Sequence, residues 1–188
     1  NLETAWDGET LPKGLPVQYL FRPDHNKLVA SLDLSRPFSQ TIRAGKAREE
    51  KTIDLMGEYL TFIQMWSWGE PCLHPELAEM IAYARSRGIV VITSTNAHFL
   101  NDEEQVTKLV NSGLNELILA VDGTTQEVYQ KFRPGGDLQV ILTGIRNLVR
   151  IKQEQGTTTP RLHMRMVINP FNEEQKDDFL ALAREMGV

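Results

Sequence analysis

Cysteine is nearly absent: Cys72 is the single one in 188 residues. One thiol forms no internal disulfide, which fits a reducing compartment, and a cytoplasmic location is expected. Nor can one thiol hold an iron–sulfur cluster, which takes three or four thiolates. No stretch approaches the roughly 18 apolar residues of a membrane-spanning helix. Basic excess is also lacking, since 20 Lys and Arg stand against 25 Asp and Glu for a net charge of −5. Nucleic acid is therefore not an expected partner. Neither a tandem repeat nor a low-complexity segment is present.

What remains is ordinary globular material, 41% hydrophobic and 24% charged, long enough to bury a core of its own. Residues 1–16 read as an irregular lead-in broken by Pro12, Gly14 and Pro16. Residues 17–188 read as one domain. Val17 to Phe21 is a short β-like run. Residues 22–48 read as a long loop carrying Pro23, Pro37 and Gly45. Helix and strand then alternate, with helices expected over 49–60, 75–87, 102–112, 125–132, 137–154 and 173–186. The strands between them are expected over 61–66, 89–93, 114–121 and 163–168. The run Ile89-Val90-Val91-Ile92-Thr93 is continuously apolar, as befits a strand buried on both faces.

Such alternation predicts an α/β fold of parallel βα units. About five strands are read in the 188 residues, against eight in a full barrel of about 250 residues. The expected architecture is a partial barrel of the (β/α)6 TIM-like type, or an open parallel sheet, truncated at its end. An open sheet edge invites pairing, so another subunit or a missing domain is the expected partner.

In such folds ligands lie at the carboxyl ends of the strands. The residues there are Gly69 and Glu70, then Ser94 and Asn96, then Asp122, then His163 and Arg165 with Asn169. Strand-to-helix turns are rich in these residue types as caps, so caps or ligand groups both account for them. Gly69 lets a ligand approach the backbone, and Glu70 can accept from an ammonium group. A plain capping acid is the alternative. Cys72 beside Glu70 reads as a small packing residue or as a site thiol. Trp66 and Trp68 flank Ser67 and share a strand face.

The motif series is Gly69-Glu70-Pro71-x-Leu73-His74-Pro75, then Ser94-Thr95-Asn96. Asp122-Gly123-x-Thr125-x-Glu127-x-Tyr129-x-Lys131-x-Arg133-x-Gly135-Gly136 follows. It resembles the radical S-adenosylmethionine enzymes, in the branch that often carries a cysteine-rich cluster domain after the barrel. The resemblance covers roughly residues 49–188. It implies a six-unit partial barrel and an S-adenosylmethionine pocket. Gly69 and Glu70 would face the methionine amino group, Ser94 and Asn96 the nucleoside, Asp122 the ribose, and Arg165 the methionine carboxylate. The family's Cys-x3-Cys-x2-Cys loop follows its first strand. Here the candidate positions are His25, Val29 and Leu32, or Lys27, Ser31 and Leu34. Neither set is a thiolate set, so an iron–sulfur cluster is not expected. Ala97 stands where the family usually has a glycine, and Ala120 where it often has a serine.

Three functional readings follow. The first is a degenerate radical-SAM-like domain that retains the nucleoside pocket and serves as a structural, scaffolding or regulatory subunit. The second is a fragment or altered form of an active enzyme. The third is a non-redox α/β enzyme using Glu70, Asp122 and His163 for acid–base work, although nothing pairs those residues at a convincing spacing.

Overall fold

The computed structural model describes residues 17–22, 27–32, 53, 54, 57, 59–66 and 69–188, the first two stretches at the level of backbone only. The lead-in 1–16, the span 33–48, most of the expected helix 49–60, and His25, Leu34 and Trp68 lie outside the described residues. The chain divides into two compact units, residues 1–93 with 112–114 and residues 94–111 with 115–188.

In the first unit, β1 (Val17–Arg22) pairs antiparallel with β2 (Lys27–Leu32), Val17 facing Leu32 and Arg22 facing Lys27. This departs from the sequence reading, in which 22–48 was loop. Lys27, Val29, Ser31 and Leu32, candidate positions of a cluster loop, sit in a strand. Six strands are thus described where about five were expected. β2 runs parallel to β3 (Leu60–Gln64), with a register slip between Leu28 and Val29. β3 runs parallel to β4 (Val90–Thr95), Ile63 facing Val91.

The crossover helix α1 (Leu77–Ser86) joins β3 to β4. Leu77, Met80, Ile81 and Ala84 recur at helical spacing, and all four are buried. Gly88, at φ 77°, turns the chain out of the helix in the left-handed region. Beyond β3 the pairing continues irregularly: the Met65 amide donates to the Ile92 carbonyl at 2.9 Å. The Thr93 hydroxyl donates back to the Met65 carbonyl at 2.9 Å.

The second unit takes the end of β4, a 3-10 turn (His98–Asn101), and helix α2 (Glu103–Asn111). Asp102 caps α2, its Oδ1 accepting the Glu104 and Gln105 amides at 3.1 Å each. Then follow β5 (Glu116–Ala120), α3 (Gln126–Phe132), α4 (Leu138–Glu154), β6 (Arg161–Arg165) and α5 (Lys176–Met186). β5 and β6 run parallel, with Glu116, Ile118 and Ala120 opposite Arg161, His163 and Arg165.

Helix α4 repeats apolar residues every three or four positions, and Leu138, Ile141, Leu142, Ile145, Leu148 and Ile151 are all buried. The 3-10 turn lies against it at Gly144. A Cβ added there would stand 2.7 Å from Leu100 Cβ. Two side chains fasten the contact, Asn147 to the Leu100 carbonyl at 3.0 Å and Asn101 to the Val140 carbonyl at 3.1 Å.

The expected strand 163–168 begins and ends earlier, at 161–165. Val167 is not a rung of the ladder because its amide donates instead to the Asp122 side chain. The other described helices and strands fall within a few residues of expectation, and the fold is α/β with parallel βα units. Among the described residues, no helix is long and apolar enough to cross a membrane.

Candidate functional site

In the first unit the Gly69-Glu70-Pro71 segment follows the end of β3. Gly69 is exposed at φ 85°, a conformation that glycine adopts freely and other residues do not. Glu70 is half-buried and caps the 3-10 turn Pro71–Leu73, its Oε1 accepting the Cys72 amide at 3.1 Å. The His74 and Leu73 amides close the turn onto the Pro71 and Glu70 carbonyls at 2.9 and 3.2 Å. His74 Nδ1 accepts the Glu76 amide at 3.2 Å, so its ring proton resides on Nε2. Glu70 therefore has a capping role of its own. Cys72 is half-buried in the same turn, and Trp66 is half-buried just past β3.

In the second unit, Ser94 and Asn96 close β4. Ser94 is buried, at 7% exposure. Thr95 Oγ1 accepts the Ala97 amide at 3.0 Å and Asn96 Oδ1 accepts the His98 amide at 3.1 Å. These local bonds bend the chain into the 3-10 turn. Ala97 occupies the left-handed region at φ 68° with no exposed surface. The family's usual glycine would hold that conformation without strain.

Asp122 follows β5 and is fully buried. Both carboxylate oxygens are engaged. Oδ1 accepts the Val167 amide at 2.9 Å. Oδ2 accepts Arg133 Nε at 2.8 Å and stands 2.7 Å from Arg133 Nη2. The Asp122 carbonyl accepts Asn172 Nδ2 at 3.1 Å. Asn172, also fully buried, further donates to the Val167 carbonyl at 2.9 Å and accepts the Asn169 amide at 2.8 Å. Gln175 reaches the next turn, its Oε1 accepting the Thr124 amide at 2.9 Å. The ends of β5 and β6 are thus tied by side chains.

Within the Asp122–Gly136 motif two glycines make room for Tyr129. A Cβ on Gly123 would lie 2.7 Å from the Tyr129 amide nitrogen, and one on Gly136 2.6 Å from Tyr129 Cε1. Tyr129 is fully buried, and its hydroxyl has no hydrogen-bond partner among the described residues. Burial pushes its pKa up, with Asp122 and Asp137 adding to the rise and Arg133 opposing it.

Arg165 ends β6 with its side chain exposed. Its carbonyl accepts the Val121 amide at 2.9 Å. On the same face, His163 Nε2 lies 3.2 Å from Glu116 Oε2, and Arg161 Nη1 lies 3.8 Å from Glu116 Oε1. Of the residues singled out from sequence, Ser94 with Asn96 and Asp122 with Arg165's strand come together within this unit. Asn172 and Gln175 escaped sequence reading. The Asn169-Pro-Phe-Asn172 spacing before an acidic helix start was the available signal.

The sequence profile of the radical SAM superfamily matches residues 42–183, well over half of the chain. The chain belongs to the radical SAM superfamily. Among its relatives is the Fe-coproporphyrin III synthase of Methanosarcina barkeri, 32% identical over 64% of this chain and 28% of that protein. Mycofactocin maturase MftC of Mycobacterium ulcerans is 29% identical over 64% of the chain and 31% of its own length. A probable GTP 3′,8-cyclase of Methanocaldococcus jannaschii is 26% identical over 65% and 39%. The chain therefore spans well under half the length of these relatives. The structure of archaeal TYW1 superposes with a TM-score of 0.54 at 16% identity, over 86% of this chain and 62% of that one. That likeness supports the fold, the parallel βα units of a TIM-like partial barrel.

Radical SAM chemistry draws on S-adenosylmethionine and an iron–sulfur cluster. The side-chain chemistry for the first is present: carboxylate, amide, hydroxyl and guanidinium groups at strand ends. For the second the sequence offers Cys72 alone. One thiol in 188 residues does not make a three-thiolate set.

Proposed function

We propose that this chain is a radical-SAM-like domain without a cluster of its own, retaining groups for S-adenosylmethionine and acting as a structural, scaffolding or regulatory element. The observation that carries the reading is a single cysteine within a chain that keeps the family's other motifs. S-adenosylmethionine presents an ammonium, a carboxylate, a ribose and a purine. Following the family resemblance, Gly69 and Glu70 are the groups proposed for the ammonium, Ser94 and Asn96 for the nucleoside, Asp122 for the ribose end and Arg165 for the carboxylate. A second protein or a further domain completes the activity, and the cytoplasm is the compartment proposed.

A second reading has these residues as part of an active radical SAM enzyme, with thiolates supplied from elsewhere. The 28–39% coverage of the relatives favours it. Anaerobic incubation with iron and sulfide, followed by metal analysis and visible absorbance, separates the two. The first reading expects no stoichiometric iron; a stable [4Fe–4S] centre on this polypeptide overturns it. Calorimetric titration with S-adenosylmethionine tests the pocket. Glu70→Ala is expected to weaken binding by about 1–3 kcal/mol, the worth of a charge-assisted hydrogen bond, and unchanged affinity removes Glu70 from the pocket.

A further inference from the structure

We infer that Asp122 serves the S-adenosylmethionine pocket without touching the ribose: it positions the backbone that carries Arg165. The inference rests on the pocket proposed above and assigns Asp122 a different part in it.

The carboxylate has no exposed surface. The Val167 amide and Arg133 Nε donate to it, and Arg133 Nη2 stands 2.7 Å from the same oxygen as Nε. A carboxylate has about four acceptor positions, and none left over is presented to solvent. A ribose hydroxyl has no route to it. Arg165, by contrast, is exposed and has no side-chain partner among the described residues.

The connection between the two runs through main chain. The Arg165 carbonyl accepts the amide of Val121, the residue before Asp122. Two residues beyond Arg165, the Val167 amide donates to Asp122 Oδ1. The main chain is thus held just beyond the Arg165 Cα, while the β5–β6 ladder holds the residues before it. Asn172 locks the far side again by bonding the Asp122 and Val167 carbonyls together. A guanidinium on a long flexible side chain loses entropy when it grips a carboxylate. Holding its Cα still is the part of that cost a scaffold can remove. Asp122 and Asn172 are in this sense positioning residues for the anionic end of an amino-acid-bearing ligand.

Two probes distinguish a ribose contact from positioning. S-adenosylmethionine carries both ribose and carboxylate, whereas 5′-methylthioadenosine carries the ribose alone. Calorimetry on the full chain is expected to show Asp122→Asn weakening S-adenosylmethionine about tenfold, as for one lost charge-assisted bond. 5′-Methylthioadenosine should stay within about twofold of parent. Arg165→Gln should give the same pattern, and the double variant should be little worse than either single one. Asn172→Ser leaves the carboxylate in place and is a gentler change if Asp122→Asn folds poorly. It too should lower affinity for S-adenosylmethionine alone. Equal losses for both ligands, or losses that multiply in the double variant, overturn the inference while leaving the pocket standing. Failure of the parent chain to bind either ligand removes the pocket and the inference with it.

Discussion

Replacing Gly123 with alanine should destabilise the second unit through space alone. Gly123 has no positive φ, so no backbone strain enters. The added Cβ would meet the Tyr129 amide nitrogen at 2.7 Å, Tyr129 Cα at 2.9 Å and the Val128 carbonyl carbon at 3.2 Å. All three are main-chain atoms of α3, which cannot rotate aside as a side-chain tip can. Overpacking of this kind costs about 1–3 kcal/mol, and an unyielding neighbour places the cost near the upper end. Restricting the unfolded chain offsets about 0.4–1 kcal/mol. The net expectation is a loss of about 2 kcal/mol, or a fall of roughly 4–8 °C in Tm for a chain of this size. Gly88→Ala is the matched comparison, because its φ of 77° carries strain while nothing lies within 4 Å of the new Cβ. It should cost about 1 kcal/mol. Thermal and urea unfolding followed by circular dichroism reads both. A Gly123→Ala melting point within about 1 °C of parent, or above that of Gly88→Ala, refutes the packing argument.

Other perturbations have equally definite outcomes. Gly144→Ala gains helix propensity worth about 1 kcal/mol yet drives a Cβ to 2.7 Å from Leu100 Cβ and 3.2 Å from the Ala97 carbonyl. Urea titration should show a net loss, and a more stable variant means the turn yields. Tyr129 ionises later in the fold than in the unfolded chain because burial raises its pKa. Stability is therefore full below the unfolded value near pH 10 and falls as pH rises through the folded one. Unfolding midpoints measured from pH 8 to 11 should decline, and Tyr129→Phe should flatten that decline while costing nothing at pH 7, since the hydroxyl has no partner to lose. A Phe variant with the parent's alkaline limb assigns the effect to another group.

Periodicity made the helices and most strands legible. The stripe Leu77, Met80, Ile81, Ala84 and the longer one in α4 are buried as their spacing predicts. What local pattern left out was decided by long-range hydrogen bonds. β6 stops at Arg165 because a side chain 45 residues away takes the Val167 amide, and no window around 163–168 contains that information. β2 was hidden differently: Pro23, Pro37 and Gly45 make 22–48 read as loop, and those breakers outweigh the apolar Leu28-Val29-Ala30 run between them. At the site, the strand-end positions of Ser94, Asn96 and Asp122 were legible from alternation. Their internal commitments were not, and Asn172, which holds the β5 and β6 ends together, was not singled out at all.

Those commitments bear on what the motifs mean. Gly69-Glu70-Pro71 builds and caps a turn. Ser94-Thr95-Asn96 bends β4 into the next turn. Asp122 ties β6 and Arg133 to β5, while Gly123 and Gly136 make room for Tyr129. Each motif has a job that a folded chain needs even if no radical is ever formed. A Glu70 that only bound ligand would drift once binding ceased to matter; a Glu70 that also accepts the Cys72 amide is held by folding. Folding alone can thus keep the strand-end motifs in a chain that supplies a single thiol, and the motifs report membership of the superfamily more firmly than they report its chemistry.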